Sequence, residues 1–371
     1  MRLLICAGGT GGGVYPAVAV LQALGDDAQS ILWVGSQGGP EASLVQRARI
    51  PYTAIPAAGM HGVGLGVLPG NISRLLRGVI AAQKVIREFQ PDVLFFTGGY
   101  VAPPVALAGH KLPSLMFVPD IEPGLALKFI ARFAGRICVT AEASRQYLPK
   151  NKPIVVTGYP TRQELSQVQP AAARQVLQLN ADLPVLLVVG GSTGARSINR
   201  ALLSNLSILL QRCQIVHLSG QLDWSEVETA AAALPVEEAS RYHPFPYLHE
   251  EMAAALASAD LVVSRAGAST LGEFPLFGLP AILVPYPYAW RYQRVNAEYL
   301  TRQGAAIMVA DEELKTNLVS LVTGLLLSPH RLKTMSLAMS AMARPDAGQR
   351  LADQVRVLAG APPRLSGGLA W

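Results

Sequence analysis

Residues 5–16 read ICAGGTGGGVYP, and residues 185–199 read VLLVVGGSTGARSIN. In each stretch an apolar run with the composition of a buried strand leads into a cluster of glycines. Glycine turns of this kind place main-chain N–H groups at the start of a helix, where the helix dipole adds roughly half a positive charge. Each stretch therefore predicts a strand–turn–helix corner that can bind an anion. The alternative for each is a tight turn without a ligand.

Short apolar runs alternate with longer helical patterns along the whole chain. The runs are continuous rather than alternating, which is typical of parallel strands covered on both faces. The predicted strands lie at 2–7, 30–35, 52–55, 93–97, 114–118, 136–140, 154–157, 184–190, 214–218, 260–264, 281–284 and 306–309, and helices are predicted at 16–25, 71–89, 122–134, 196–212 and 294–303. Two successive series, each opening near a glycine turn, predict an α/β chain of two Rossmann-like domains with a cleft between them. The break is expected near 158–163.

Composition limits the class of protein. Among 371 residues, 50% are hydrophobic and 15% are charged, so a sizeable core is expected. The net charge of +6 favours an anionic partner, but the chain has no motif of interleaved aromatic and basic residues, so nucleic acid is not expected. The three cysteines are far apart, which predicts reduced core thiols in a cytosolic protein. The N-terminus begins on a strand, and no window of about 20 residues stays apolar, so neither a signal peptide nor a membrane span is expected.

Several kinds of phosphate site are excluded by particular residues. Neither glycine turn ends in the lysine of a P-loop, and the second strand ends in Gly35-Ser36 instead of the acidic residue that holds a dinucleotide ribose. The chain has no D-x-D or H-x-x-x-H motif, so no metal and no cofactor are expected. The charge of a diphosphate would then be met by helix ends and by arginines near strand ends. The candidates are Arg162, Arg196 and Arg265.

A third candidate binding segment is SRAGASTLGE at 264–273. Thr270 and Glu273 have the spacing of a capping box, in which they satisfy the first N–H groups of their own helix. In the alternative interpretation the small residues open the helix start to an anion, and Glu273 accepts hydrogen bonds from two ribose hydroxyls. The spacing favours neither.

Four segments together resemble the undecaprenyl-diphospho-muramoylpentapeptide β-N-acetylglucosaminyltransferase family, which has the GT-B fold. They are AGGTGGGVYPAVAV at 7–20, TGGYVAPPVALA at 97–108, VVGGSTGARSIN at 188–199 and SRAGASTLGEFPLFGLPAILVPYPYAWRYQRVNA at 264–297. The resemblance covers about residues 1–345. It implies an inverting, metal-independent transfer from UDP-N-acetylglucosamine to the 4-hydroxyl of a polyprenyl-diphosphate-linked N-acetylmuramyl group. It also implies an enzyme of peptidoglycan synthesis, bound peripherally at the cytoplasmic face of the cell membrane.

The resemblance assigns domains and substrate contacts. Residues 1–158 would face the acceptor and the membrane, 159–345 would bind the UDP-sugar, and 346–371 would be a C-terminal helix with a loose tail. The implied donor contacts are Arg162, Ser192, the main chain at Leu248, Ala268, Ser269, Thr270, Leu271, Gly272, Glu273 and Gln293. Thr10, Gly11 and Gly12 would lie against the acceptor diphosphate and the donor sugar.

The departures from the family pattern fall on the acceptor and reaction side. The histidine that ends the first glycine motif is Gly13 here, the segment from Phe117 to Asp120 replaces HEQN, and Tyr292 replaces the first of two glutamines. A positioned general base contributes about 10²–10⁴-fold to the rate. Asp120 is the first candidate for a substitute base, Glu122 the second, and His61 the third. Asp120 could instead cap the helix expected to begin near Glu122.

Residues 67–89, VLPGNISRLLRGVIAAQKVIREF, interleave arginine and lysine with apolar side chains. The segment is either an amphipathic helix docked on its own sheet or a surface that lies on an anionic membrane leaflet. Two further functions stay open: a GT-B enzyme with another lipid or glycan acceptor, and a non-catalytic UDP-sugar-binding protein.

Overall fold

The structure is a computed structural model that describes residues 1–8, 11–59, 68–191, 194–249, 251–288 and 291–364. The chain forms two compact units. Unit 1 comprises residues 1–162 together with the C-terminal segment from Arg344, and unit 2 comprises Gln163–Ala343. The division falls within the predicted break at 158–163.

Unit 1 alternates strands and helices in the order expected of a Rossmann-like domain. Its strands are β1 (Arg2–Ala7), β2 (Ser30–Ser36), β3 (Tyr52–Ile55), β4 (Val93–Gly98), β5 (Ser114–Val118), β6 (Arg136–Val139) and β7 (Ile154–Val156). Its helices are α1 (Gly11–Leu24), α2 (Glu41–Arg47), α3 (Leu68–Phe89), α4 (Ala102–Ala108) and α5 (Leu125–Ile130), with short 3₁₀ turns at Gly25–Asp27 and Glu142–Tyr147.

Unit 2 repeats this alternation. Its strands are β8 (Val185–Val189), β9 (Gln214–Leu218), β10 (Tyr242–Phe245), β11 (Leu261–Ser264), β12 (Ala281–Leu283) and β13 (Ala306–Met308). Its helices are α6 (Pro170–Val176), α7 (Arg196–Leu203), α8 (Leu206–Leu210), α9 (Trp224–Ala232), α10 (Val236–Ala239), α11 (Met252–Ser258), α12 (Glu273–Phe277), α13 (Tyr292–Arg302), α14 (Leu314–Leu326) and α15 (Pro329–Ser340). Its 3₁₀ turns are Gln163–Gln167, Gln221–Asp223, Ala268–Leu271 and Asp311–Glu313. The last helix, α16 (Ala347–Leu358), belongs to unit 1.

Each unit is built on one sheet of parallel strands. The order is β3-β2-β1-β4-β5-β6-β7 in unit 1 and β10-β9-β8-β11-β12-β13 in unit 2. The central strands are buried along their length, because helices cover both faces of the sheet. The predicted pair of Rossmann-like domains with parallel sheets is therefore confirmed.

All the predicted strands are present, and one strand was missed. Strand β10 reads YHPF, lacks an apolar run and contains Pro244. It forms the edge of its sheet and pairs only with β9, where a proline can be tolerated because one side of the strand needs no partner. The three cysteines, Cys6, Cys138 and Cys213, are buried free thiols, as predicted.

The C-terminal helix corrects the predicted domain boundaries. Residues 346–371 were expected to form a separate helix and tail, whereas α16 packs against α1 in unit 1. The guanidinium of Arg356, only 1% exposed, donates to Asp27 and to Asp353, at 2.7 Å each. The hydrogen bond from Arg356 lowers the pKa of Asp27. The ion pair between Arg356 and Asp27 connects α16 to the 3₁₀ turn that follows α1.

Helix α3 has one docked face and one exposed apolar face. Ala82 is buried, and Val85 and Ile86 pack against the unit 1 core. On the outer face Ile72, Leu76 and Ile80, four residues apart, are 44%, 62% and 67% exposed, and we call these three residues the α3 stripe. Across the described ranges, no helix combines the length and the apolar composition that crossing a membrane requires.

Candidate active site

The first glycine turn lies where the strand order of unit 1 reverses, between β1 and β4. Gly8 follows β1, and its N–H donates to the carbonyl of Gly98 at 3.2 Å. Gly99 has φ +88°, and a Cβ on it would lie 2.6 Å from Cα of Gly8. Only glycine fits this contact, which we call the Gly8–Gly99 corner. In open α/β sheets ligands bind outside the carboxyl ends of the strands at such a reversal.

Helix α1 begins at Gly11, five residues before the predicted start. Gly11 and Gly12 therefore form its first turn, where main-chain N–H groups have no partner within the helix. Thr10 lies outside the described residues. The hydroxyl of Thr97, at the end of β4, donates to the carbonyl of Gly13 at 2.6 Å. Thr97 was not recognised from the sequence, although its position before Gly98-Gly99 is a signal that could have marked it.

Arg162 lies beside α1, in unit 1 rather than in the predicted UDP-sugar domain. Its guanidinium carbon is 4.9 Å from the ring centroid of Tyr15, which is a cation–π distance. Its Nε atom is buried without a hydrogen-bond partner among the described residues. A buried charged donor of this kind favours an acceptor supplied by a ligand.

The second glycine turn lies at the corresponding reversal of unit 2, between β8 and β11. Gly194 has φ +80°, and a Cβ on it would overlap the carbonyl oxygen of Ser219. The turn is therefore pressed against the loop that follows β9. Ser192, the predicted donor contact, lies outside the described residues.

A buried network of hydrogen-bonded side chains holds Ser219, the residue against which this turn packs. Nδ2 of Asn199, on α7, donates to Oδ2 of Asp223 at 2.9 Å and to the carbonyl of Ser219 at 2.8 Å. Its Oδ1 lies 3.0 Å from Nε2 of His217, whose Nδ1 lies 2.7 Å from the hydroxyl of Tyr242. Since Oδ1 can only accept, the network assigns the His217 proton to Nε2. Burial lowers the pKa of His217 to about 3, so the ring is neutral.

Two of the three candidate arginines have partners inside unit 2. Nε of Arg196 donates to Asp223 at 2.9 Å, and this hydrogen bond raises the arginine pKa. The guanidinium of Arg265, 8% exposed, donates to Ser197 at 2.7 Å and to the main chain of Val284 at 3.1 Å, and it pairs with Asp311. Arg265 therefore ties three segments together, which corrects its assignment as a candidate diphosphate ligand.

In the 264–273 segment, Thr270 and Glu273 lie in two successive short helical elements. The hydroxyl of Thr270 donates to the carbonyl of Gly267 at 2.7 Å, within the 3₁₀ turn Ala268–Leu271. Helix α12 begins at Glu273 itself, and its N-cap is Gly272, which has no side chain to cap with. Thr270 is therefore not the N-cap of α12. Nδ2 of the buried Asn296 donates to the carbonyl of Ala266 at 3.1 Å and holds the start of the segment.

The other predicted donor contacts of unit 2 also follow its strands. Leu248, 7% exposed, lies just after β10. Oε1 of Gln293, on α13, accepts the main-chain N–H of Tyr286 at 2.8 Å, beyond the end of β12. Because the strands are parallel, these residues and the segment from Ala268 to Glu273 share the carboxyl edge of one sheet. Tyr292 is the first residue of α13.

The candidate bases differ in environment. Asp120 follows β5 and is half-buried, whereas Glu122 is 1% exposed and its Oε1 accepts from Nζ of Lys128 at 2.7 Å. The helix expected at 122–134 is shorter and begins at Leu125, after an N-cap at Gly124, so Asp120 is not its cap. His61 lies outside the described residues.

Comparisons with known proteins agree with both units. The glycosyltransferase family 28 N-terminal domain matches residues 3–139, and the glycosyltransferase family 28 C-terminal domain matches residues 185–351. The chain is 39% identical, over 95% of its length and 94% of the relative, to a Roseiflexus sp. (strain RS-1) protein named UDP-N-acetylglucosamine–N-acetylmuramyl-(pentapeptide) pyrophosphoryl-undecaprenol N-acetylglucosamine transferase. A Listeria monocytogenes (serovar 1/2a) protein of the same name is 35% identical, over 96% of this chain and 99% of the relative.

A solved structure is also similar to this chain over nearly its full length. The crystal structure of Acinetobacter baumannii MurG is similar with a TM-score of 0.75 and 27% identity, covering 96% of this chain and 99% of that one. Both domain models and near-full-length relatives above 30% identity therefore place this chain in glycosyltransferase family 28, among the N-acetylglucosamine transferases that those relatives represent.

Proposed function

We propose that the chain transfers N-acetylglucosamine from UDP-N-acetylglucosamine to the 4-hydroxyl of a lipid-linked N-acetylmuramyl-pentapeptide, with inversion at C1, in peptidoglycan synthesis. One observation carries the proposal. A chain that is 39% identical to a transferase of that name keeps a glycine turn at the strand-order reversal of each sheet. Both turns are closed by contacts that only glycine permits, at Gly99 and at Gly194.

Unit 2 is proposed to bind the nucleotide sugar. The donor contacts are Ser192, the main chain at Leu248, the segment from Ala268 to Glu273, and Gln293. Glu273, half-buried in the first turn of α12, is proposed to accept hydrogen bonds from the ribose hydroxyls of the donor. Arg162 joins this set because its buried Nε is left for a ligand oxygen. A charge-assisted hydrogen bond of that kind contributes about 1.5–3 kcal/mol.

Unit 1 is proposed to bind the acceptor diphosphate, at the first turn of α1 beside Gly11 and Gly12. Thr10 would contribute there by resemblance. The proposed transfer needs no metal ion, since main-chain N–H groups and Arg162 meet the charge of the departing UDP.

Asp120 is proposed as the general base that takes the proton of the attacking 4-hydroxyl. Glu122 is the poorer candidate, because its carboxylate is buried and already accepts a hydrogen bond from Lys128. The substrate must still reach the base, which favours the half-buried Asp120.

The chain is further proposed to act peripherally at the cytoplasmic face of the cell membrane, where a polyprenyl-linked acceptor resides. The α3 stripe supports this because the same helix also carries the exposed Arg74 and Arg77. Apolar contact combined with basic charge favours an anionic leaflet. Binding to liposomes should increase with the fraction of anionic lipid and decrease with salt. Binding that is indifferent to both would remove the membrane proposal.

The test is purified chain with UDP-N-acetylglucosamine and a short-chain lipid-linked muramyl pentapeptide, with and without a chelator. Transfer that survives chelation is expected. Hydrolysis of the donor without transfer would favour a GT-B enzyme with another acceptor, and binding without turnover would favour a non-catalytic UDP-sugar-binding protein. The departures at Gly13, Asp120 and Tyr292 keep both alternatives open. Transfer that chelation abolishes would contradict the metal-free mechanism.

A further inference from the structure

An apolar groove lies on unit 1 between α3, α4 and α5. It encloses about 400 Å³, which is within the ~300–1,000 Å³ range of small-ligand sites. Its twelve lining residues include no charged side chain, and among them are Leu75, Val79, Tyr100, Leu107 and Ala126. We call this cavity the α3–α5 groove. Its ligand must be largely hydrocarbon, since the walls offer almost no hydrogen-bonding groups.

The groove begins at the Gly8–Gly99 corner. Tyr100, which is 60% exposed and lines the groove, is the next residue after Gly99. A Cβ on Gly59 would lie 3.0 Å from the Tyr100 ring, and the carbonyl of Gly59 accepts from Nδ2 of Asn71 at 2.7 Å. Tyr100 therefore packs beside Gly59, between the proposed diphosphate site and the apolar residues of the groove.

Charge and shape specify the occupant further. Exposed Arg74 and Arg77 lie on the same helix as the groove residues Leu75 and Val79 but not in the groove wall, so they place basic charge near the groove and favour a ligand with an anionic head. Two residues of the α3 stripe, Ile72 and Leu76, line the groove, whereas the exposed Ile80 does not. A bilayer can contact Ile80, whereas the groove has room for a single chain.

We propose that the α3–α5 groove binds the isoprene units nearest the diphosphate of the acceptor. The proposal rests on the proposed function and adds a subsite to it. The diphosphate would lie at the Gly8–Gly99 corner, and the chain attached to it would pass Tyr100 into the groove. The polyprenyl chain is then recognised by the enzyme itself and serves as more than a membrane anchor.

The test compares two acceptors with the same muramyl-pentapeptide head, one with a farnesyl and one with a dimethylallyl tail, in solution without vesicles or detergent. Ala126→Phe fills the groove while keeping it apolar. Losing burial equivalent to two methylene groups corresponds to about tenfold in affinity. We therefore expect Ala126→Phe to raise KM for the farnesyl acceptor about tenfold, and to leave KM for the dimethylallyl acceptor, KM for the donor and kcat unchanged.

The matched control is Ile80→Ser, which should weaken liposome binding and leave the ratio of the two KM values as in the wild type. Leu107→Ser, on the α4 wall of the groove, is a second variant with the same expected direction as Ala126→Phe. An unchanged KM ratio in both groove variants would overturn the proposal, and so would a loss confined to liposome binding. Wild-type chain that transfers to neither acceptor would instead refute the proposed function, which keeps the two failures distinct.

Discussion

The hydroxyl of Thr97 donates to the main-chain carbonyl of Gly13 at 2.6 Å and joins the end of β4 to the first turn of α1. Thr97 is only 2% exposed, so water cannot replace this hydrogen bond. The bond fixes the helix start that is proposed to bind the acceptor diphosphate. Its removal should therefore affect acceptor binding more than donor binding.

We expect Thr97→Val, which keeps the shape of the side chain, to lower the free energy of unfolding by about 1 kcal/mol. KM for the acceptor should rise, while KM for the donor stays unchanged. Chemical denaturation and steady-state kinetics measure the two effects. Thr97→Ser keeps the hydroxyl and is the control. Equal effects of the serine and valine variants on acceptor KM would show that the hydrogen bond does not position the helix.

Gly13 can accept the histidine that the resembling family has at this position. A Cβ there would lie 3.2 Å from the carbonyl oxygen of Gly8 and 3.7 Å from Oγ1 of Thr97, so a shift of a few tenths of an ångström accommodates it. Gly13→His should fold, and its kcat–pH profile should gain a limb near the ordinary histidine pKa of about 6.5. Gly13→Ala introduces the same Cβ without the imidazole. A limb that is present in both variants, or in neither, would contradict the expectation.

Asp120→Asn tests the general base. If Asp120 takes the proton, kcat should fall by about 10²–10⁴-fold while KM for the donor changes little. Glu122→Gln is the comparison, since it breaks the buried pair with Lys128. It should lower stability, by about 1.5–3 kcal/mol for a hydrogen bond to a charged group, without the same loss of kcat. Turnover of Asp120→Asn within a few-fold of the wild type would end the assignment.

Alanine substitutions at two glycines of the second turn should distinguish effects on stability from effects on donor binding. Gly191 and Gly194 both have positive φ, +94° and +80°, but a Cβ on Gly191 meets nothing within 4 Å. Gly191→Ala should lose about 1–2 kcal/mol of stability from backbone strain and raise KM for the donor, because the new methyl group fills the approach to the main chain. Gly194→Ala should lose more stability, since its Cβ overlaps the carbonyl of Ser219. Thermal unfolding gives the ranking, and the reverse ranking would contradict the packing argument.

Buried His217 makes stability depend on pH. Its folded pKa, about 3, lies below its unfolded value of about 6.5, so the unfolded state binds the proton first as pH falls. The stabilisation is complete above pH 6.5 and is lost progressively as the pH falls toward 3. From pH 7 to pH 5 the free energy of unfolding should fall by about 2 kcal/mol more in the wild type than in His217→Gln. Urea unfolding at the two pH values measures the difference, and equal losses would show that His217 does not titrate on unfolding.

Local patterns predicted most of the fold because short, continuous apolar runs bounded by turn residues are typical of parallel strands covered on both faces. The exceptions have local causes. Strand β10 was missed because YHPF has no apolar run, and α1 was started five residues late because glycines are poor helix formers in isolation. The site was predicted less completely. Thr270 and Glu273 have the spacing of a capping box, yet Thr270 lies in the preceding 3₁₀ turn and the N-cap of α12 is Gly272.

The order of apolar runs and glycine turns, read along the chain, was sufficient to establish the two parallel sheets and the corner at each reversal. This was possible because burial of a strand and the freedom of a glycine are properties of a few adjacent residues. Which of the candidate arginines is paired with a carboxylate was decided only by folding. Arg162, Arg196 and Arg265 are equivalent in the sequence, but Asp223 and Asp311 come from distant segments and bind two of them. The partner of a charged side chain can come from anywhere in the chain, so tertiary packing and not local sequence decides which arginines are paired.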